Sequence, residues 1–344
     1  MQKDIILYGL GAMGRRIARL VIERGHQIVG AIDLDPAKKG TSLHDLLEMP
    51  EAPDLTISDD AEAVLAAHSG AVVLQATASF LHQVAGAIET CLSHGHDVIS
   101  IAEEMTFPEA ADADLAARLD MVAKAHGRRV LGTGVNPGFA MDMLVLALTV
   151  PCGRVDHIRA IRTNDLSDFG PSVLQSQGVG LSEAEFTKAL AAGTVVGHVG
   201  FAQSVALIAG HLGWRIDRVE ETRMPILSRV ARETPWLTIA PGQVAGCLHC
   251  ITGYADGREV LRLEHPQQIR PEAEDVKTSD RIVITGDQTL DMVLSPEIGG
   301  GAGTAAAAVN AVAYLHRANP GLVHLTDLPL TSPRAPQPQE QEKV

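Results

Sequence analysis

DIILYGLGAMG, residues 4–14, joins an apolar strand directly to a glycine-rich turn and the start of a helix. Residues 5–8 form the short apolar run typical of a strand covered on both faces. Helical spacing then places Ile17, Ala18 and Val21 on one face. A strand, a tight turn and a helix in this order predict the first unit of a doubly wound α/β sheet.

The three glycines of this turn have the spacing of a dinucleotide-binding loop. Gly9 would allow the tight turn, Gly11 would let backbone N–H groups approach a pyrophosphate, and Gly14 would let the helix pack on the strand. The free N–H groups at the helix start favour the same phosphates. We therefore expect a bound dinucleotide, with Leu10, Ala12 and Met13 completing its site.

Asp33 closes a second strand, IVGAID, about twenty residues after the turn. A carboxylate there can accept hydrogen bonds from ribose hydroxyls and would repel a 2′-phosphate, which predicts NAD as the cofactor. The alternative is a turn-forming aspartate, since Asp35–Pro36 follows. Lys38 and Lys39 lie close enough to weaken the discrimination against the 2′-phosphate of NADP, so NADP remains an alternative cofactor.

Further strands are predicted at residues 55–60, 71–77, 97–102 and 128–134, with helices between most of them. This alternation predicts a mostly parallel, Rossmann-type sheet. Ligands of such sheets bind outside the carboxyl ends of the strands. The residues that follow those ends are therefore candidates: Thr77, Ala78, Ser79, Glu103, Glu104 and Asn136. Asn136 could bind cofactor or simply cap the next helix, which is the commoner role.

Glu103 and Glu104 follow an apolar strand directly and are the candidates for catalysis. A carboxylate that is desolvated at the mouth of a nucleotide site has its pKa raised toward neutrality, as a general acid or base requires. The alternative is a pair of solvated residues at a strand end. The sequence does not choose between the two glutamates.

The character of the chain changes after residues 136–139, NPGF. Strand-like segments follow one another with few helices, and Asp256–Gly257 separates two of them as a hairpin turn. These features predict a second α+β domain with an open, mostly antiparallel sheet over residues 136–302. The first domain would cover residues 1–135 and be completed by a helix within 303–330. Residues 331–344 are rich in Pro and Gln and are predicted to be disordered.

Arg159 and Arg162 lie on one predicted strand, three residues apart, so they face opposite sides of the sheet. We expect Arg162 to face the substrate, where a guanidinium can hold a carboxylate. Cys247 and Cys250 invite a metal interpretation, but no second pair of ligands exists at usable spacing, so no metal is expected.

The 344 residues suffice for two domains, and 46% of them are apolar. A net charge of −14 argues against nucleic acid or an anionic membrane as partner. No apolar run is long enough to span a bilayer, and the first residues already enter a strand, which leaves no room for a signal peptide. Four cysteines do not make a disulfide framework. We expect a cytoplasmic protein.

Several separated motifs resemble those of the 2,4-diaminopentanoate dehydrogenases and native amine dehydrogenases, which are related in architecture to dihydrodipicolinate reductase. They cover most of the chain: GLGAMGRRIA (9–18), IAEEM (101–105), GTGVNPGFAMD (132–142), RTND (162–165), LQSQGVG (174–180) and GTAAAAVNAV (303–312).

The resemblance implies NAD(P)-dependent, reversible oxidative deamination of a small amine to a ketone and ammonia, and a homodimer formed through the second domain. It implies that the catalytic glutamate is one of the 103–104 pair. It also implies a substrate pocket formed by Phe139, Leu144, Leu148, Arg162, His265 and Thr304. Ser167–Gly170 stands where basic residues are expected, which leaves room for a simpler amine. The alternatives are an imine reductase related to dihydrodipicolinate reductase, another Rossmann dehydrogenase, and a non-catalytic NAD sensor or scaffold.

Overall fold

A computed structural model describes residues 2–333 of the chain. The chain divides into two compact units. Unit 1 contains the residues up to Val135 and those from Gly300 onward, and unit 2 is Asn136–Gly299. The predicted disordered tail lies mostly outside the described residues.

Unit 1 is built on a six-stranded sheet in which every pair of neighbouring strands is parallel. The first strand has its central residues Ile5, Ile6 and Leu7 almost completely buried, as expected of a strand covered on both faces. The strands of this sheet are β1 (Asp4–Tyr8), β2 (Gln27–Ile32), β3 (Val72–Gln75), β4 (Asp97–Ser100), β5 (Arg129–Gly132) and β14 (Gly321–Val323).

The strand order is β14-β5-β4-β3-β1-β2, so the winding direction reverses between β1 and β3. A crevice forms outside the carboxyl ends of the strands at such a reversal, and ligands bind there. The Rossmann-type fold predicted from the sequence is confirmed. The helices of this unit are α1 (Ala12–Glu23), α2 (Leu43–Leu47), α3 (Ala61–Ala66), α4 (Leu81–Ser93), α5 (Ala113–Ala125) and α10 (Gly300–Val312).

Two details of unit 1 differ from the sequence predictions. Residues 55–60 form no strand; Thr56 and Ser58 make only isolated bridges, to Ser42 and Ile32. The last helix ends at Val312, and β14 then joins the sheet beside β5, which was not predicted. Three residues are too few to show a periodic pattern, so only the packing reveals this strand.

Unit 2 holds a second six-stranded sheet, of order β13-β12-β6-β11-β10-β7. β6 and β11 pair in parallel, and the other neighbours are antiparallel, so the predicted mostly antiparallel sheet is confirmed. The strands are β6 (Val155–Asp165), β7 (Arg218–Leu227), β10 (Val244–Ala255), β11 (Arg258–Gln268), β12 (Ser279–Gly286) and the unpredicted β13 (Thr289–Leu294), with β8 (Arg232–Glu233) and β9 (Thr238–Ile239) as a separate small pair.

The hairpin between β10 and β11 turns at Asp256 and Gly257, whose φ angles are 51° and 70°. Two successive positive φ angles are the requirement of the turn that suits a two-residue hairpin, as the Asp-Gly pair predicts. The helices of unit 2 are α6 (Met143–Thr149), α7 (Pro171–Ser176), α8 (Glu183–Ala191) and α9 (Phe201–Leu212). Edge strand β7 leaves most of its residues exposed.

Candidate active site

The glycine-rich loop has the shape that a phosphate group needs. A Cβ on Gly9 would lie 2.6 Å from the carbonyl oxygen of Ala76, and one on Gly14 would lie 1.9 Å from the carbonyl oxygen of Gly9. A Cβ on Gly11 would instead meet nothing within 4 Å. Protein packing therefore requires the first and third glycines, whereas the space beside Gly11 is open to a ligand.

Helix α1 begins at this open space without a capping side chain, because its N-cap is Gly11. Within the described residues, the backbone amides of Ala12 and Met13 have no protein acceptor. Unpaired N–H groups at a helix start attract anions. Leu10 differs from its neighbours, since its side chain is fully buried and its amide donates to Asp33 at 2.7 Å.

Asp33 directly follows β2 and connects the glycine loop to the next turn by hydrogen bonds. One carboxylate oxygen accepts from the amide of Leu10 at 2.7 Å and from the ammonium of Lys38 at 2.9 Å, and the other accepts from the amide of Asp35 at 2.9 Å. Burial opposes ionisation, but these hydrogen bonds outweigh it and lower the pKa of Asp33. The residue is therefore a fixed anion, and Lys38 is its immediate counter-charge.

Thr77, Ala78 and Ser79 follow the end of β3, next to the glycine loop. The Thr77 methyl group lies 2.8 Å from where a Cβ on Gly9 would be. A hydrogen-bond network reaches Thr77 from the sheet. The Ser100 hydroxyl donates to the side-chain oxygen of Gln75, and the side-chain NH₂ of Gln75 donates to the Thr77 hydroxyl. This network fixes the loop that faces the carboxyl ends of β3 and β4.

Glu103 and Glu104 form the start of a short 3₁₀ turn, Glu103–Thr106, after β4. The Glu104 carboxylate accepts from the backbone amide of Leu81 at 2.7 Å, so it caps α4. Burial raises the pKa of Glu103, the hydrogen bond with Ser79 opposes that rise, and the charge of Glu104 adds to it. The structure thus gives the adjacent glutamates different surroundings, which the sequence did not reveal.

Thr304 lies on α10, within unit 1, and its hydroxyl accepts from the amide of Val135 at 3.2 Å. Helix α10 packs on α1 so closely that a Cβ on Gly301 would lie 2.7 Å from the Arg16 guanidinium. Helix α10 thus packs within unit 1. Among the residues predicted to bind substrate, Thr304 is the one that belongs to unit 1.

Arg162 does not offer a free guanidinium in unit 2. Its side chain is 2% exposed, pairs with Asp280 at 2.6 Å and donates to the carbonyl oxygen of Ile298 at 2.5 Å. Arg159, on the opposite face as predicted, is 47% exposed and pairs with Glu264. The carboxylate that Arg162 holds in this structure is thus a side chain of its own sheet, not a substrate, and this corrects the expectation of an open anchor.

His265 lies beside Arg162 in a group of buried rings. Its Nδ1 lies 2.7 Å from the Arg162 carbonyl oxygen, and its ring centre lies 5.0 Å from that of His198. Phe201 covers both rings. Burial lowers the pKa of His198 to about 3, and it lowers the pKa of His265 well below the usual value. Both imidazoles are therefore neutral at physiological pH.

Phe139 precedes α6, Leu144 lies in its first turn and Leu148 near its end, and all three keep partly exposed apolar side chains. The cap of α6 is Asp142, which accepts from Met143 at 2.7 Å, so Asn136 does not have the capping role. Both polar atoms of the Asn136 amide are buried and have no protein partner. Unpaired buried amide atoms are costly, which favours a ligand as the missing partner.

Sequence reasoning missed four further side chains of unit 2 that hold unpaired buried polar atoms. The Asn164 and Gln267 carbonyl oxygens lie at paired positions of β6 and β11, where Arg162 and His265 are two residues before them on the same face. An alternating polar pattern was the signal available in both strands. The other unpaired atoms are the Gln177 carbonyl oxygen and Nε2 of His198.

Cys247 and Cys250 are buried in β10, and burial raises the pKa of Cys247 to about 12. Within residues 2–333, no group of three or more His, Cys, Asp or Glu side chains is arranged to hold a metal ion. The helices of the same residues include none with the length and apolarity to cross a bilayer.

Comparison with known proteins identifies the family. A family model described as the 2,4-diaminopentanoate dehydrogenase C-terminal domain matches residues 139–342. The chain is 40% identical over 334 residues to a 2,4-diaminopentanoate dehydrogenase from Acetoanaerobium sticklandii, with 96% of this chain and 94% of the relative covered. It is 26% identical to an amine dehydrogenase from Streptomyces virginiae, with 94% and 96% covered.

A solved amine dehydrogenase structure from Mycobacterium smegmatis has the same fold. The TM-score is 0.85 at 26% identity, with 97% of this chain and 98% of that chain covered. The resemblance inferred from the sequence motifs is therefore confirmed by the family model, by close sequence similarity and by the fold. The chain belongs to the 2,4-diaminopentanoate dehydrogenase family.

Proposed function

We propose that this protein is an NAD(P)-dependent amine dehydrogenase that converts a small amine, 2,4-diaminopentanoate or a relative of it, reversibly to a ketone and ammonia. The observation that carries the proposal is the half-buried Glu103 at the carboxyl end of β4, with its raised pKa. The family and the open glycine loop support it.

The residues present fit a nicotinamide dinucleotide. The amides of Gly11, Ala12 and Met13 would hold the pyrophosphate, and Asp33 would accept from the ribose hydroxyls. Thr77, Ala78, Ser79 and Asn136 complete the proposed cofactor site. The nicotinamide, when bound, supplies the two-electron oxidant. NAD is the proposed preference because Asp33 is a fixed anion.

Glu103 has the chemistry that the reaction needs from the protein. In the oxidative direction its carboxylate takes a proton from the substrate ammonium and passes it to solvent, and the carboxylate then stabilises the iminium that oxidation leaves. It then takes a proton from the water that adds to the iminium carbon. The carboxyl group returns this proton to the amino group of the adduct, and the C–N bond breaks as the hydroxyl group loses its proton to solvent, which releases ammonia and the ketone. A carboxyl group whose pKa is raised by burial holds a transferred proton more readily than a solvated one.

The surroundings of His265 support a substrate with polar groups besides the reacting amine. Neutral imidazoles and the unpaired carbonyl oxygens of Asn164 and Gln267 can accept hydrogen bonds from a second amino group. Phe139, Leu144 and Leu148 supply apolar contacts for a short carbon chain. Because Arg162 is already paired with Asp280, we do not assign it a direct contact with the substrate carboxylate.

The test is ammonia-dependent oxidation of NADH and NADPH with a panel of ketones that includes 2-amino-4-oxopentanoate. We expect turnover that needs both ammonia and ketone. In Glu103→Gln, kcat should fall about 10²- to 10⁴-fold while NAD binding stays near the wild-type value.

The same assay separates the alternatives. Ammonia-independent reduction of a cyclic imine would indicate an imine reductase, and cofactor binding without turnover of any ketone would indicate a sensor. Full turnover in Glu103→Gln would assign the proton transfers to another group.

A further inference from the structure

Glu104 holds its neighbourhood together through contacts that are distant in sequence. Its carboxylate accepts from the Leu81 amide at 2.7 Å, and its own amide donates to the Ser79 carbonyl oxygen at 3.2 Å. The first contact caps α4, whose N-cap residue Phe80 has no side chain able to accept a hydrogen bond. An ordinary capping residue at position 80 would satisfy the helix equally well, without involving the turn after β4.

A hydrogen bond within the 3₁₀ turn that contains Glu103, and close packing of β5 against that turn, also fix its position. The Thr106 hydroxyl donates to the Glu103 carbonyl oxygen at 2.8 Å. β5 approaches so closely that a Cβ on Gly132 would lie 1.9 Å from the carbonyl oxygen of Met105. Glu104 supplies the remaining attachment, toward the loop that contains Ser79.

The Glu103 carboxyl lies beside that same loop, close enough to the Ser79 side chain for Ser79 to lower its pKa. Ser79 therefore accepts from the Glu104 amide through its carbonyl oxygen, and its side chain lies near the Glu103 carboxyl. Movement of Glu104 away from α4 would shift the Ser79 loop and the Glu103 side chain relative to each other. The two adjacent carboxylates are thus mechanically linked.

We propose that Glu104 is a positioning residue for Glu103: it fixes the Glu103–Thr106 turn to the start of α4 and to Ser79, and it sets the charge beside the Glu103 carboxyl. The inference rests on the proposed function only in giving Glu103 its catalytic task. Because the geometry is independent of the substrate, the inference can be tested with and without turnover.

Glu104→Gln is the informative variant. Its amide oxygen can still accept from the Leu81 N–H, but the negative charge is gone. Since that charge raises the pKa of Glu103, we expect the rise of kcat/KM with pH for amine oxidation to move to lower pH. Turnover at the optimal pH should stay within a few-fold of wild type.

Glu104→Ala removes both charge and cap. It should show the same displacement of the pH profile together with a loss of kcat of about 10- to 100-fold, as expected when a reacting group is misplaced. Asp112→Asn is the matched control, because Asp112 caps α5 through the Leu115 amide at 3.0 Å and is not among the groups that act on Glu103. Its pH profile should equal that of wild type.

A readout without turnover keeps this inference separate from the proposed function. In protein labelled with ¹³C at the glutamate carboxyl carbon, the signal that disappears in Glu103→Gln identifies Glu103, and its titration gives the pKa directly. We expect a lower pKa in Glu104→Gln than in wild type. An unchanged Glu103 titration in Glu104→Gln, together with an unchanged kcat in Glu104→Ala, would overturn the positioning role even if amine turnover is confirmed. The NMR result decides the matter if no amine is turned over or if Glu104→Ala fails to fold.

Discussion

Arg162→Met distinguishes a structural arginine from a substrate anchor. The Arg162 and Asp280 side chains are each 2% exposed and lie 2.6 Å apart, and the second Asp280 oxygen accepts from the Ile298 amide at 2.8 Å. Methionine fills similar volume but leaves the Asp280 carboxylate buried without its counter-charge. Breaking a buried pair in this way costs about 3–5 kcal/mol.

That loss is a large share of the 5–15 kcal/mol that typically stabilises a protein. For a domain of this size, it corresponds to a decrease in Tm of roughly 6–20 °C. Urea unfolding followed by circular dichroism measures the loss of unfolding free energy, and a thermal scan measures the decrease in Tm. The control is Arg159→Met on the opposite face, where the half-exposed pair with Glu264 should contribute about 1 kcal/mol or less.

A compensating variant tests the cause of the loss. Arg162→Met combined with Asp280→Leu removes both charges, so most of the lost stability should return. The reasoning would be refuted if Arg162→Met were as stable as wild type and raised KM for a carboxylate-bearing amine but not for an uncharged amine. That result would restore the anchoring role predicted from the sequence.

Three further predictions concern the cofactor and the oligomer. NAD should bind more tightly than NADP. Asp33→Ala should narrow or reverse the ratio of the two affinities, because it removes the ribose partner and frees Lys38, now 2.9 Å from Asp33, to bind a 2′-phosphate. Calorimetric titration of both cofactors measures the ratio, and equal affinities in the wild type would contradict the prediction. Gly11→Ala should fold normally, since its Cβ meets no protein atom, yet bind NAD about tenfold more weakly, a loss of about 1.4 kcal/mol. Gly14→Ala, whose Cβ would lie 1.9 Å from the Gly9 carbonyl oxygen, should instead lower the free energy of unfolding by about 1–3 kcal/mol. Calorimetry measures NAD binding and urea unfolding measures stability, and equal stability of the two variants would argue against a ligand role for Gly11 and a packing role for Gly14. Light scattering at micromolar concentration should give about twice the chain mass of 36.4 kDa, because the open sheet of unit 2 needs cover, and a monomer mass would exclude the dimer.

Local sequence determined the architecture of both units to a large extent. The apolar strand, the three glycines and the helical spacing after them are properties of neighbouring residues, and each restricts φ, ψ and burial within a few positions. The Asp256–Gly257 hairpin was predictable for the same reason, since positive φ angles are demanded by the turn itself. The family motifs added the expected reaction and its candidate residues.

Tertiary structure alone decided which partners the polar side chains have. Arg162 pairs with Asp280, 118 residues further along the chain, and no local pattern contains that pairing. Glu103 and Glu104 are neighbours in sequence, but Glu104 meets the Leu81 amide, 23 residues away, while Glu103 lies beside Ser79. Periodicity specifies which face of an element a residue occupies, whereas charge, burial and hydrogen bonding depend on the segment that packs against that face. For that reason the sequence identified the pair of glutamates as candidates, whereas only the fold showed that their two side chains have different surroundings.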